Sequence, residues 1–131
     1  MNIPLIAANV LTLIAFILHT FIGDKEIRSI APAYQDDDNT PTERWTMSRC
    51  GWHWISFDLL FATIGLALIN FSEILPAEDI LLQLGCIYFM GYAFVWFLII
   101  SISASFPKNY LRLGQWILLA LISGCIYWGT Y

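Results

Sequence analysis

Charge is scarce in this sequence. Only 12% of its 131 residues are charged, 59% are hydrophobic and the mean hydropathy is +0.68. A soluble domain carries about 25% charged residues, and a chain of this size leaves roughly a third of its unfolded surface exposed after folding. That surface would have to be apolar in water, which excludes soluble globular and disordered classes. Basic residues are scarcer still: six Lys and Arg stand against ten Asp and Glu, for a net charge of −4. Six are too few for a phosphate-tracking surface, so nucleic acid is not a partner. Three cysteines, an odd number, fit no disulfide framework. Walker A, His-Glu-x-x-His and Gly-x-Ser-x-Gly sequences are missing, so no catalytic motif marks an enzyme. The opening MNIPLIAANV lacks the basic stretch of a secretory signal, and no small-residue cleavage site follows. The first apolar run is therefore expected to stay as a helix.

What is present is a set of long apolar runs. About 20 apolar residues cross ~30 Å of hydrocarbon as a helix. Four runs qualify: 3–22, 52–71, 80–102 and the shorter 114–130. They predict an all-α, four-helix transmembrane bundle, a single integral membrane domain over residues 1–131. The runs at 3–22 and 80–102 carry no charge, and that at 52–71 carries one, Asp58.

The connections give the orientation. Lys25, Arg28, Arg44, Arg49, Lys108 and Arg112 all fall on one side of this topology. By the positive-inside rule, the loops 23–47 and 103–113 are cytoplasmic and both termini lie outside. Acidic residues count little in that rule, so the run Asp36-Asp37-Asp38 does not oppose it. Trp45, Trp52, Trp54, Tyr110 and Trp116 fall near the inner boundary, and Tyr127, Trp128 and Tyr131 near the outer one. Aromatic rings with a polar edge favour headgroup level, and anchoring accounts for nearly all of them. Thr40-Pro41-Thr42-Glu43 has capping-box spacing, with Thr40 as N-cap and Pro41 at the first helical position. Helix two thus starts near residue 41, well before its apolar run.

The two histidines occupy matching positions. His19 lies one turn before the end of the first run and His53 one turn into the second. Antiparallel helices would bring them to one depth, with Asp24, Arg49, Cys50 and Trp52 around them. His19, Asp24, Arg49 and His53 could form a polar network fastening the first two helices, since polar groups there need partners. Two imidazoles on facing helices could instead ligate a haem iron, as in a b-type site. His19, His53 and Cys50, with Asp24, could hold zinc or copper. As a fourth reading, Arg49 could hold a lipid headgroup or a quinone, with Trp52 beside it and a histidine exchanging protons.

Asp58 is the one ionisable group well inside a run. It sits ~140° around the helix from His53 at 100° per residue, on a stripe with Gly51, Ala62 and Gly65 that suits helix contact. It could bond a neighbour such as Gln83 or Asn70, or serve as the coupling carboxylate of a proton-linked transporter. Ser56 and Thr63 share the His53 face, Cys86 and Cys125 are read as small packing residues, and Gly85, Gly91, Ala120 and Gly124 mark packing surfaces. The membrane-embedded glutamate of small multidrug exporters is absent from the first run.

The pattern His19-x3-Gly23-Asp24 followed by Arg49-x2-Trp52-His53 resembles a family of small four-span bacterial membrane proteins without assigned function. In that family Glu commonly follows the glycine, so Asp24 is a shortened variant. The resemblance covers about half of the chain and brings no activity. It implies a single site made of the two motif halves, and the chain is expected in a cytoplasmic (inner) membrane of bacterial type. The expectation is a structural or accessory subunit, in contact with lipid headgroup or quinone through His19, Asp24, Arg49, Trp52 and His53. A haem or metal redox protein and an Asp58 transporter are the alternatives. A bundle this small has little room for an internal pathway, which points to assembly with its own copies or within a larger membrane complex.

Overall fold

The structure, a computed structural model, describes residues 2–33, 39–75, 78–103 and 110–130. The Asp36-Asp37-Asp38 run, Pro107, Lys108 and Tyr131 lie outside the described residues. The described chain is all-helical and consists of four helices: α1 (Ile3–Ser29), α2 (Thr40–Phe71), α3 (Glu78–Ile102) and α4 (Gln115–Thr130). The first three are long and apolar enough to cross a membrane; α4, at 16 residues, is shorter.

Two boundaries differ from the sequence reading, each for a local reason. The first helix does not stop at Ile22. It passes through a π-helical turn at Leu18–Gly23 and runs on to Ser29, because nothing in Asp24-Lys25-Glu26-Ile27-Arg28 breaks a helix. Its last carbonyls, Ile27 and Arg28, accept from Ile30 N and Ala31 N, just before Pro32. The second helix begins one residue earlier than the capping box suggested, with the Asn39 carbonyl accepting from Glu43 N at 3.0 Å. Pro41 still lies in the first turn, where its missing N–H removes no helical bond.

The chain divides into two compact units. One comprises residues 1–11 and 64–131. Here α3 and α4 pack on each other through Leu82, Phe89, Ala93 and Ile100 from α3 and Ile122, Ser123 and Ile126 from α4. Ser123, fully buried, donates to the Cys86 carbonyl at 2.8 Å, and its hydroxyl lies 3.2 Å from Cys86 Sγ. Both Cys86 and Cys125 are free thiols. A Cβ at Gly85 would make only ordinary contact with Ile126, and Gly91 and Gly124 have open space where a Cβ would be, so none of the three marks a close approach. A glycine not expected to matter, Gly129, lies against Leu5 and gives its carbonyl to Asn2 Nδ2 at 2.6 Å. Asn2 also caps α1, its Oδ1 accepting from Leu5 N at 3.4 Å. The turn before α4 is held by indoles: Trp96 Nε1 donates to Leu113 O and Trp116 Nε1 to Tyr110 O.

The second unit, residues 12–63, is the later part of α1 and the earlier part of α2. Its buried side chains are small or polar except for Leu59: Thr12, Ala15 and Asp24 on α1, and Ser56, Leu59 and Thr63 on α2. Small residues let helix backbones approach closely, which is how helices associate where no hydrophobic gain is on offer. The packing face of α2 here is thus the Ser56-Leu59-Thr63 stripe. The alternative stripe is not a close contact, since Gly51 and Gly65 have nothing within 4 Å of an added Cβ.

Candidate functional site

The site lies wholly within the second unit and is built from the π-helical turn outward. In an α-helix two residues five apart sit ~140° from each other. A π turn pairs residue i with i+5 and so brings them nearly into line. His19 and Asp24 are five apart and flank the turn at Leu18–Gly23, so both can serve one facing helix.

Each half of the turn meets a named partner on α2. The His19 imidazole stacks on the Trp52 indole, with ring centroids 4.0 Å apart and planes 9° from parallel. Trp52 Nε1 donates to the His19 carbonyl at 3.0 Å, and His19 Nδ1 lies 3.1 Å from Ser56 Oγ. The Trp52 six-membered ring occupies the place where a Gly23 side chain would project, which explains the glycine there.

Asp24 is the centre. Its side chain is only 10% exposed, and Arg49 grips it with two bonds, Nε to Oδ1 at 2.9 Å and Nη2 to Oδ2 at 3.3 Å. Such a fork-to-carboxylate pair is geometrically specific and charge-assisted. Arg28, one turn on, places Nε 3.0 Å from Oδ2. His53 Nε2 lies 3.2 Å from Oδ1, and because a carboxylate only accepts, this nitrogen carries the proton and donates it. Behind the pair, Trp45 Nε1 donates to Ile27 O at 3.0 Å, and the Arg49 guanidinium sits 5.6 Å from the Trp45 ring centroid.

His19, Asp24, Arg49, Trp52 and His53 are therefore brought together. Cys50 is not: it is exposed on α2. Among the described residues no three His, Cys, Asp or Glu side chains are grouped to hold a metal. Of the two histidines, His53 turns Nε2 to Asp24, and His19 turns Nδ1 to Ser56 Oγ while stacking on Trp52. Asp58 is half-buried further along α2, and the bonds that converge on Asp24 come from Arg28, Arg49 and His53.

Two contributors escaped the sequence reading. Arg28 is four residues beyond Asp24, a helical neighbour only if the helix continues past Gly23. Trp45 was read as an interface anchor, yet its indole N–H binds the Ile27 carbonyl of α1; Trp52, expected in the site, binds the His19 carbonyl in the same way. Trp54 and Trp128, by contrast, are 74% and 79% exposed. No protein-family model, curated protein or solved structure matches the chain.

Proposed function

We propose that this chain is a four-span protein of the bacterial cytoplasmic membrane, with both termini outside, that serves as a structural or accessory subunit. In this reading His19, Asp24, Arg49, Trp52 and His53 fasten the cytoplasmic ends of the first two helices and present polar edges to lipid headgroups. One observation carries it: the anion that Arg49 holds is the chain's own Asp24 carboxylate. A site kept for a quinone or a free carboxylate would leave that fork open. Placement at the inner boundary follows from the six basic residues, all on one side of the topology.

Thermal melting of the purified protein in detergent tests the fastening. Asp24→Asn keeps the shape and removes the charge, and it should lower the melting temperature more than His53→Ala does. His53 is 42% exposed, so its loss should amount to about 1 kcal/mol or less. Neither variant should lose a bound chromophore, and the wild-type visible spectrum should be flat. An Asp24→Asn protein that melts like wild type, or a Soret band in the wild type, removes the reading.

A further inference from the structure

Among the described residues, the side chains in contact with Asp24 carry more positive charge than its carboxylate neutralises. Arg28 and Arg49 each contribute +1 and Asp24 contributes −1, which leaves +1 on the three side chains with His53 neutral. Lys25 and Glu26, next along α1, cancel formally. The carboxylate faces inward at 10% exposure, while the Arg28 and Arg49 side chains are 58% and 34% exposed.

The guanidinium edges are divided the same way. Arg28 places Nε 3.0 Å from Asp24 Oδ2 and donates from it to the Asp24 carbonyl at 3.4 Å, and among the described residues its two Nη groups make no hydrogen bond. Arg49 engages Nε and Nη2 and leaves Nη1. Both arginines are held on Oδ2 of the one Asp24 carboxylate, and Trp45 lies under Arg49. Pre-ordered donors lose little freedom on binding an anion.

We propose that Arg28 and Arg49 together bind the phosphodiester of an anionic phospholipid in the inner leaflet. A phosphodiester carries one negative charge, which balances the surplus, and two unesterified oxygens that can each take a guanidinium edge. A zwitterionic lipid brings its own ammonium beside the arginines and gains less. Phe21 and Ile22, 65% and 55% exposed, lie toward the apolar part of α1 from this pair, where acyl chains would run. The inference rests on the inner-boundary placement proposed above and names the ligand of that same cluster.

Native mass spectrometry of the full chain tests it, from micelles holding equal phosphatidylglycerol and phosphatidylcholine. The wild type should retain phosphatidylglycerol about fivefold over phosphatidylcholine. Arg28→Gln should bring the ratio near one while the melting temperature stays put, because Arg49 and His53 still hold Asp24 and an exposed helical pair adds little stability. Equal retention of the two lipids by the wild type overturns the proposal without recourse to any variant. So does an undiminished preference in Arg28→Gln. Displacement of phosphatidylglycerol by millimolar inorganic phosphate marks a free-anion site and also overturns it. The fastening is read separately: Asp24→Asn can fail to lower the melting temperature while the wild-type lipid preference stands, or the reverse.

Discussion

Gly23 and Asp24 stand next to each other and do opposite things with the same helix. The glycine gives up its side chain so that Trp52 can lie on the α1 backbone and reach the His19 carbonyl. Asp24 reaches out to gather Arg28, Arg49 and His53. Overpacking in a tight contact costs about 1–3 kcal/mol. Gly23→Ala should therefore destabilise the protein by about 2 kcal/mol in a detergent melt. Most of that loss should vanish in a Trp52→Leu background, where the indole is gone, and a double-mutant cycle reads the coupling. Thr20, inside the π-helical turn, has a buried hydroxyl with no hydrogen-bond partner. Thr20→Val removes that polar atom at nearly constant shape, so the melting temperature should rise, by an amount worth about 1 kcal/mol.

At the scale of elements, the π-helical turn is what makes a site of α1. Without it, His19 and Asp24 would sit on different sides of the helix. A π turn amounts to one extra residue in an α-helix, so removing one residue should restore the α path and leave the pair four apart, still on one face. Phe21 is 65% exposed and therefore the residue to remove. Deleting Phe21 should give a folded protein that retains the Asp24-dependent melting difference. Inserting an alanine after Phe21 should abolish that difference by swinging Asp24 away. The spacing His-x3-Gly-Asp was legible in the sequence, and so was its pairing with Arg-x2-Trp-His. The helix continuing through Gly23 was not, because a glycine and a charge after an apolar run read as an exit. With that exit assumed, Arg28 belonged to a loop and could not be counted as a neighbour of Asp24.

For the molecule as a whole, four apolar helices and one-sided basic charge lead to the proposed arrangement of both termini outside. Single cysteines placed at residues 2 and 130 of a cysteine-free variant should react with a membrane-impermeant thiol reagent in intact cells. A cysteine at position 26, in the stretch after Asp24, should react only once the membrane is opened. The fourth helix adds a constraint. Its 16 residues extend ~24 Å at 1.5 Å per residue, less than ~30 Å of hydrocarbon. In the proposed four-span arrangement such a short span draws its flanking aromatics to the headgroups, which suits the exposed Trp128 and Tyr127.

The sequence alone determined the helical class, the number of helices and the segregation of charge. Those follow from composition and run length, quantities that depend on each residue by itself and on the thickness of a bilayer. It also singled out the five residues that meet, since polar side chains at the ends of apolar runs must find partners. Which partner each one takes was decided only in three dimensions. Asp24 could have faced a metal, a ligand or solvent; the π-helical turn rotates it onto Arg49, and the Gly23 notch admits Trp52. The scarcity of charge set how few polar groups there are, and the packing of α1 on α2 set how they share one carboxylate.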